Sequence, residues 1–319
     1  MRLPRGASDM RVVAALGGNA LARRGEEISA EVQRHNLQTA AAALVPLARA
    51  HDLVLTFGDG PQIGHLLLES EADQSARPSP LDVIGAEAVG MIGYLLEQAL
   101  LQRDPGLRIV TLVTQTVVAV DDPAFASPSK PIGPMYDGAT AQELAEKRGF
   151  AVARDGRGWR RVVPSPEPLG LLEADAVRHL VDGGFLVVAS GGGGMPVVLD
   201  SSGKPNGIEA VVDKDLAAVV LARTVNAERL LLLTDVDGVY DGFGTASARR
   251  LDTLSPSEAR MLAESGALGR GSMLPKVEAA ARFAERGGIA VIAALADAAE
   301  ALEGRAGTTF AAWPTHAPD

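Results

Sequence analysis

Residues 12–20, Val-Val-Ala-Ala-Leu-Gly-Gly-Asn-Ala, and their counterpart at 53–61, Leu-Val-Leu-Thr-Phe-Gly-Asp-Gly-Pro, decide the fold. Each is a short apolar run with no polar alternation, broken by glycine. A strand of this kind has both faces buried, which is the mark of a parallel sheet covered by helices. Similar runs recur at Leu107–Val113, Phe185–Ala189, Arg229–Leu233 and Ile289–Ala293. Between them, helical spacing of apolar residues predicts helices over Ala30–Ala50, Leu81–Gln102, Glu173–Asp182, Lys214–Thr224, Ser257–Ser265 and Pro275–Arg286. Strand and helix in alternation give an α/β fold around a mainly parallel sheet. Asp121–Asp137, with four prolines, reads as an excursion from that sheet, and Phe150–Val163, turning at Asp155-Gly156, reads as a hairpin of the same excursion. Ser201–Asn206 and Asp241–Ala248 read as loops. Pro164–Pro168 is the expected boundary between two halves.

The totals narrow the class. A chain of 319 residues with 47% hydrophobic content can bury one large core or two fused lobes. It has no cysteine, so disulfides and thiolate metal sites are excluded, and a cytoplasmic setting is the expectation. Neither a signal-peptide pattern near Met1 nor an uninterrupted apolar run of the ~18 residues needed to span a bilayer is visible, so no membrane partner is expected. The net charge of −10 opposes nucleic-acid binding, because affinity for a polyanion comes from clustered Lys and Arg. Small anions can still be held locally.

Four glycine clusters follow expected strands: Gly17-Gly18-Asn19-Ala20, Gly58-Asp59-Gly60-Pro61, Gly191–Gly194 and the Asp237-Gly238 turn. Beyond the carboxyl ends of parallel strands, free N–H groups at helix starts bind phosphate, and glycine lets the backbone approach it closely. One such cluster is as easily a tight turn; four at successive strand ends point to a ligand. None matches a P-loop, a dinucleotide fingerprint or the protein-kinase signatures.

Only five of the thirty basic residues are lysines. Lys214 starts a helix within Asp213-Lys214-Asp215, Lys276 follows Gly271-Ser-Met-Leu-Pro275, and Lys130 sits in the Pro128-Ser-Lys-Pro131 segment, from which it is expected to swing in. Phosphoryl transfer is catalysed mainly by positioning and by cations placed where charge accumulates, and a lysine at a helix N-terminus adds its charge to the dipole. Lys130, Lys214 and Lys276 are therefore the candidate catalytic cations, while Lys147 and Lys204 read as solvated surface charges. Asp213 either orients Lys214 or a metal-bound water, or is an ordinary N-terminal helix charge.

In order, these segments resemble the carbamate kinases of the amino acid kinase family. The likeness runs from about Val12 to Thr309 and rests on Ala15-Leu-Gly-Gly-Asn-Ala20, Gly58-Asp-Gly-Pro-Gln-Ile-Gly64, Gly90-Met-Ile-Gly-Tyr94, Pro128-Ser-Lys-Pro-Ile-Gly-Pro134, Arg161-Val-Val-Pro-Ser-Pro166, Gly191-Gly-Gly-Gly-Met-Pro196, Glu209-Ala-Val-Val-Asp-Lys-Asp215 and Gly271-Ser-Met-Leu-Pro-Lys-Val-Glu278. The resemblance implies one domain over residues 10–312, a three-layer α/β/α sandwich on a mainly parallel eight-stranded sheet, with tails at 1–9 and 313–319. It implies an acceptor half at about 10–166, carrying a protruding subdomain at about 121–163, and a nucleotide half at about 167–312. Carbamate or carbamoyl phosphate would lie at Gly17, Gly18, Asn19, Gly58, Asp59, Gly60, Gly192 and Gly193. ADP or ATP would lie at Thr234, Asp235, Val236, Tyr240, Met273 and Lys276, with Mg²⁺ riding on the nucleotide and no dedicated protein metal ligands. The resemblance also implies reversible phosphoryl transfer between carbamoyl phosphate and ADP, a homodimer and a place in arginine metabolism. In it, Lys130 supplies a cation from the subdomain, and Asp213 orients a lysine.

One departure bears on the chemistry. Carbamate kinases typically read His-Gly-Asn-Gly-Pro-Gln where this chain has Phe57-Gly-Asp-Gly-Pro-Gln62. An ionised Asp59 about 4 Å from the acceptor would oppose it by ~4 kcal/mol at an effective dielectric of 20, cancelling one lysine. Asp59 is thus expected to be turned away, protonated or paired, or else the acceptor is another small carboxylate, phosphonate or amino-acid derivative. A non-catalytic nucleotide sensor is the reading from a different class.

Overall fold

The computed structural model describes residues 10–18, 21, 26, 28–72, 78–156, 158–245, 247–268 and 273–312. The expected tails at 1–9 and 313–319, Asn19 and the Gly271-Ser272 pair lie outside them. Eight strands form the main sheet in the order Thr253–Leu254, Thr308–Phe310, Ile289–Ala294, Arg229–Thr234, Arg11–Leu16, Asp52–Phe57, Leu186–Val188 and Ile109–Thr111. All pairings are parallel except that of Ile289–Ala294 with Thr308–Phe310.

Side-chain alternation divides the apolar runs between two faces. Val12, Ala14 and Leu16 join Leu53, Leu55 and Phe57 in one core cluster, which also takes in residues of α1 (Ala30–Ala50), α3 (Leu81–Arg103) and α9 (Ala298–Leu302). Val13, Ala15, Val54, Leu230 and Leu232 point the other way, onto α5 (Ala174–Asp182), α6 (Lys214–Thr224), α7 (Pro256–Glu264) and α8 (Met273–Ala284). Both faces being covered explains why these strands show no polar alternation. The three-layer sandwich follows directly. By length and composition α3 is apolar enough to cross a membrane, yet 56% of its most apolar window is buried in this fold.

The excursion is more ordered than its prolines suggest. Lys130–Tyr136, Gly158–Val163 and Ala151–Asp155 form an antiparallel three-stranded sheet, crossed by α4 (Gly138–Arg148). Asp137 caps α4 by accepting from Thr140 N, and Gly149, in the left-handed region at φ 69°, ends it. This subdomain docks on α2 (Gly60–Ala72) so closely that a Cβ on Gly64 would come within 2.9 Å of Gly133 Cα. Arg148 pairs with Glu71, while Arg161 lies 3.7 Å from Glu71, 3.8 Å from Glu209 and over the Phe150 ring.

Several boundaries differ from the sequence expectation. Leu107–Val113 shortens to Ile109–Thr111 because it lies at the sheet edge, with only one strand neighbour. Helix α8 starts at Met273, ahead of Pro275, which proline tolerates because first-turn N–H groups have no intrahelical partner. Residues 60–72 are a helix that the Gly-Asp-Gly-Pro signal hid. Lys130 is the first residue of a strand paired with Val163, not part of a loose segment.

Phe57 is fully buried at the carboxyl end of its strand, and a Cβ on Gly191 would sit 2.6 Å from its ring. Phe57→Ala is expected to cost about 3–5 kcal/mol in urea unfolding, as for large core truncations; a loss under about 1 kcal/mol would contradict this packing.

Candidate active site

The four central strands of the sheet, Arg229–Thr234, Arg11–Leu16, Asp52–Phe57 and Leu186–Val188, are adjacent and parallel. Their carboxyl ends therefore lie side by side, and the turns that follow them meet although they are far apart in sequence. A cleft of about 280 Å³ opens there, lined by Gly17, Gly18, Gly58, Asp59, Gly60, Gly192, Thr234 and Pro275 among others. Lys130 closes it from the subdomain, Lys214 from the start of α6, and Lys276 from the first turns of α8.

Each lysine is held by a carboxylate. Lys130 Nζ donates to Asp213 Oδ2 at 2.5 Å. Asp215 takes the other two: its Oδ1 accepts from Lys214 Nζ at 2.5 Å and its Oδ2 from Lys276 Nζ at 3.1 Å. Asp213 Oδ1 also caps α6, accepting from Asp215 N at 2.9 Å and Leu216 N at 3.4 Å. Burial alone would raise the Asp213 pKa, but the charge and hydrogen bond of Lys130, then Lys214 and the Asp215 N–H, hold it at about 2. Burial pushes the Lys214 ammonium below the usual lysine range; Asp215 pulls it back and Lys276 adds to the push. The stem of Lys214 passes over Gly58 so tightly that a Cβ there would lie 2.8 Å from its Cδ.

Asp59 is 2% exposed, and its Oδ2 has no hydrogen-bond partner. Burial raises its pKa to about 7, against which its own backbone N–H and the charge of Lys130 act only partly. The carboxyl rests on the glycine turn: a Cβ on Gly192 would meet Asp59 Oδ2 at 2.2 Å. Gly192 also adopts φ +65°, so both space and backbone demand glycine.

The cleft gathers Gly17, Gly18, Gly58, Asp59, Gly60, Gly192, Lys130, Asp213, Lys214, Thr234 and Lys276 from the sequence expectation. It does not include Gly193, whose Cα backs onto the Val212 carbonyl, nor Asp235, Val236, Tyr240 and Met273. Asp235 is exposed, accepting from Thr234 Oγ1 at 3.1 Å; Tyr240 donates to Asp237 at 3.0 Å; Met273 packs on the second core cluster. Asn19 lies outside the described residues. Two charged lining residues escaped the sequence reading. Asp215 was legible only as the third member of Asp-Lys-Asp, and Arg160, which donates to Gly133 O at 3.0 Å, had no signal beyond its place in a hairpin. The hydrogen-bonded carboxylate of Lys214 is Asp215, whereas Asp213 is bonded to Lys130.

Because folding raises the Asp59 pKa from 3.8 to about 7, the folded chain binds the proton more tightly than the unfolded one. Its contribution to stability is full below about pH 4, falls as pH rises to about 7, and stays lost above; at about 1.4 kcal/mol per pH unit the total is on the order of 4 kcal/mol. Asp59→Asn does not titrate. The stability difference between variant and wild type, from urea unfolding at about pH 4.5 to 8.5, should therefore move in favour of Asn up to about pH 7 and level off above it. A flat difference would contradict the buried, partnerless carboxyl.

The model of the amino acid kinase family matches residues 10–294. The chain is 48% identical to a carbamate kinase of Pyrococcus furiosus, over 93% of this chain and 98% of the relative. Among solved structures, a Giardia lamblia carbamate kinase bound to citric acid superposes with a TM-score of 0.89 at 37% identity, over 95% of this chain and 99% of that one. The same enzyme bound to AMP-PNP gives 0.87, with the same coverage. The chain belongs to the amino acid kinase family, on its carbamate kinase branch.

Proposed function

We propose that this protein is a carbamate kinase, transferring a phosphoryl group between carbamoyl phosphate and ADP to give ATP and carbamate. The observation that carries the reading is the gathering of Lys130, Lys214 and Lys276 with the Gly17-Gly18 and Gly58–Gly60 turns around one cleft. It is supported by the full-length likeness to carbamate kinases and by the AMP-PNP in one of them, which speaks for an adenine nucleotide.

In this reading a terminal oxygen of the ADP β-phosphate attacks the phosphorus of carbamoyl phosphate. The bond from phosphorus to the carbamoyl oxygen breaks, and carbamate leaves with the electron pair. Lys214, next to the strand-end glycines, neutralises the equatorial oxygens of the transferring group. Lys130 reaches the same group from the acceptor side, and Lys276 the nucleotide phosphates. Asp213 and Asp215 keep the three ammonium groups aimed, so little reorganisation is needed when charge moves. Mg²⁺ would supply further charge neutralisation on the nucleotide phosphates. The carboxylates of Asp213 and Asp215 are engaged by lysines, so the ion would be held chiefly by the nucleotide.

We further infer a homodimer, a cytoplasmic setting and a role in arginine metabolism, a reading supported by the same likeness. Val83 and Tyr94 on α3, 43% and 55% exposed, offer an apolar face for a second copy. Sedimentation should then report about twice the 33.0 kDa chain mass; a 33.0 kDa species would remove the dimer from the reading.

Purified protein given carbamoyl phosphate and MgADP should form ATP in a luciferase assay. Lys214→Ala and Lys130→Ala are each expected to lower kcat by about 10²–10³, the size seen for a lost transition-state donor. Lys276→Ala should mainly raise the KM for ADP, and Lys204→Ala should change nothing. No ATP above the Lys214→Ala background would overturn the reading, and ADP release over a panel of small carboxylates and phosphonates would then locate the acceptor.

A further inference from the structure

Four cations, Lys130, Lys214, Lys276 and Arg160, face the cleft against three carboxyls, Asp59, Asp213 and Asp215. Two of the carboxyls are consumed by ion pairs with the lysines. Asp59 has no such pair, although Lys130 stands near enough for its charge to be felt. Its Oδ2 is buried, without a hydrogen-bond partner, and pressed on Gly192 in the cleft wall.

An unsatisfied buried oxygen is costly unless something in the working state meets it. What enters this cleft is an anion, and its oxygens only accept hydrogen bonds. An ionised carboxylate also only accepts, so facing an anion it gains nothing and repels. A protonated carboxyl has one donor and can turn it to the ligand.

We propose that Asp59 is a substrate-positioning residue that works with its proton on, donating a hydrogen bond to an oxygen of bound carbamoyl phosphate and weakening that binding whenever it ionises. No bond is made or broken at Asp59, and no proton is passed to the substrate. The cleft carries two excess positive charges with Asp59 neutral and one with it ionised, so binding of the anion and retention of the proton favour each other. The consequence is a carbamoyl phosphate affinity that falls as pH rises through neutrality, a dependence an asparagine at this position would not have, since its side-chain N–H donates at every pH.

The proposal rests on the cleft being the carbamoyl phosphate site, and two measurements separate the two ideas. In the first, KM for carbamoyl phosphate is followed from about pH 6 to 8 in wild type and Asp59→Asn at saturating MgADP. With a titration near pH 7, the competent fraction drops about tenfold over that range, so the wild-type KM should rise about tenfold relative to the variant's. A ratio of the two that is constant with pH overturns the proposal, because a purely structural Asp59 would shift stability and not this ratio. The second measurement needs no turnover: the rise in melting temperature on adding sulfate, which does not titrate in this range. That rise should shrink from pH 6 to 8 in the wild type and hold steady in Asp59→Asn. An equal decline in both proteins, or no sulfate effect on the wild type, also overturns the proposal. An Asp59-dependent decline with sulfate, in a protein that makes no ATP from carbamoyl phosphate, would keep the role of Asp59 and discard the assigned substrate.

Discussion

Two ammonium groups can share a nearly dry wall only if an anion stands between them, and Asp215 is that anion for Lys214 and Lys276. Its two oxygens each take one lysine, which fixes the spacing of α6 and α8 at the point where both begin. Lys276 is 5% exposed and Asp215 3%, so neither charge is sheltered by water. Loss of the carboxylate would leave two like charges facing each other in low dielectric, a far larger penalty than the pair contributes when whole. The C-terminal half of the molecule is thus built to keep two cations at the carboxyl ends of the central strands.

Asp213 performs the matching task across the cleft. With one oxygen it caps α6 and with the other it receives Lys130 from the three-stranded subdomain. A helix N-terminus and a protruding lobe are joined through a single side chain. The subdomain's outer contacts, Arg148 with Glu71 and Arg161 between Glu71 and Glu209, anchor the other end of the same lobe. Lys130 is therefore delivered by a structured strand. That is why it can face the cleft at a fixed place.

Much of the fold was readable because the physics is local and repetitive. Strands buried on both faces must be apolar throughout, and Val12–Leu16, Leu53–Phe57 and Arg229–Leu233 could hardly be anything else. Helices α1 and α6 fall where their spacing puts them. What was not readable depends on partners distant in sequence. Residues 60–72 form a helix because an apolar face carrying Ile63 and Leu67 packs on Leu81, Ile84 and Ile132, and nothing within Gly-Asp-Gly-Pro announces that. Asp215 looked like one of two ordinary charges at a helix start. Its role depends on Lys276, 61 residues away. Arg160 enters the cleft only because a hairpin folds over it.

Phe57 and Asp59, both departures from the His-Gly-Asn-Gly-Pro-Gln pattern, pack on neighbouring residues of one turn. The ring of Phe57 lies against Gly191 and the carboxyl of Asp59 against Gly192. The ring of Phe57 fills the space against Gly191 with apolar carbon. The carboxyl of Asp59 is buried with its Oδ2 unpartnered, so it loses water without gaining a partner there, and desolvation favours its neutral form. With that proton in place, the acid at 59 presents the cleft with a donor, as an amide would, and the positive excess of the lysines is left for the anion.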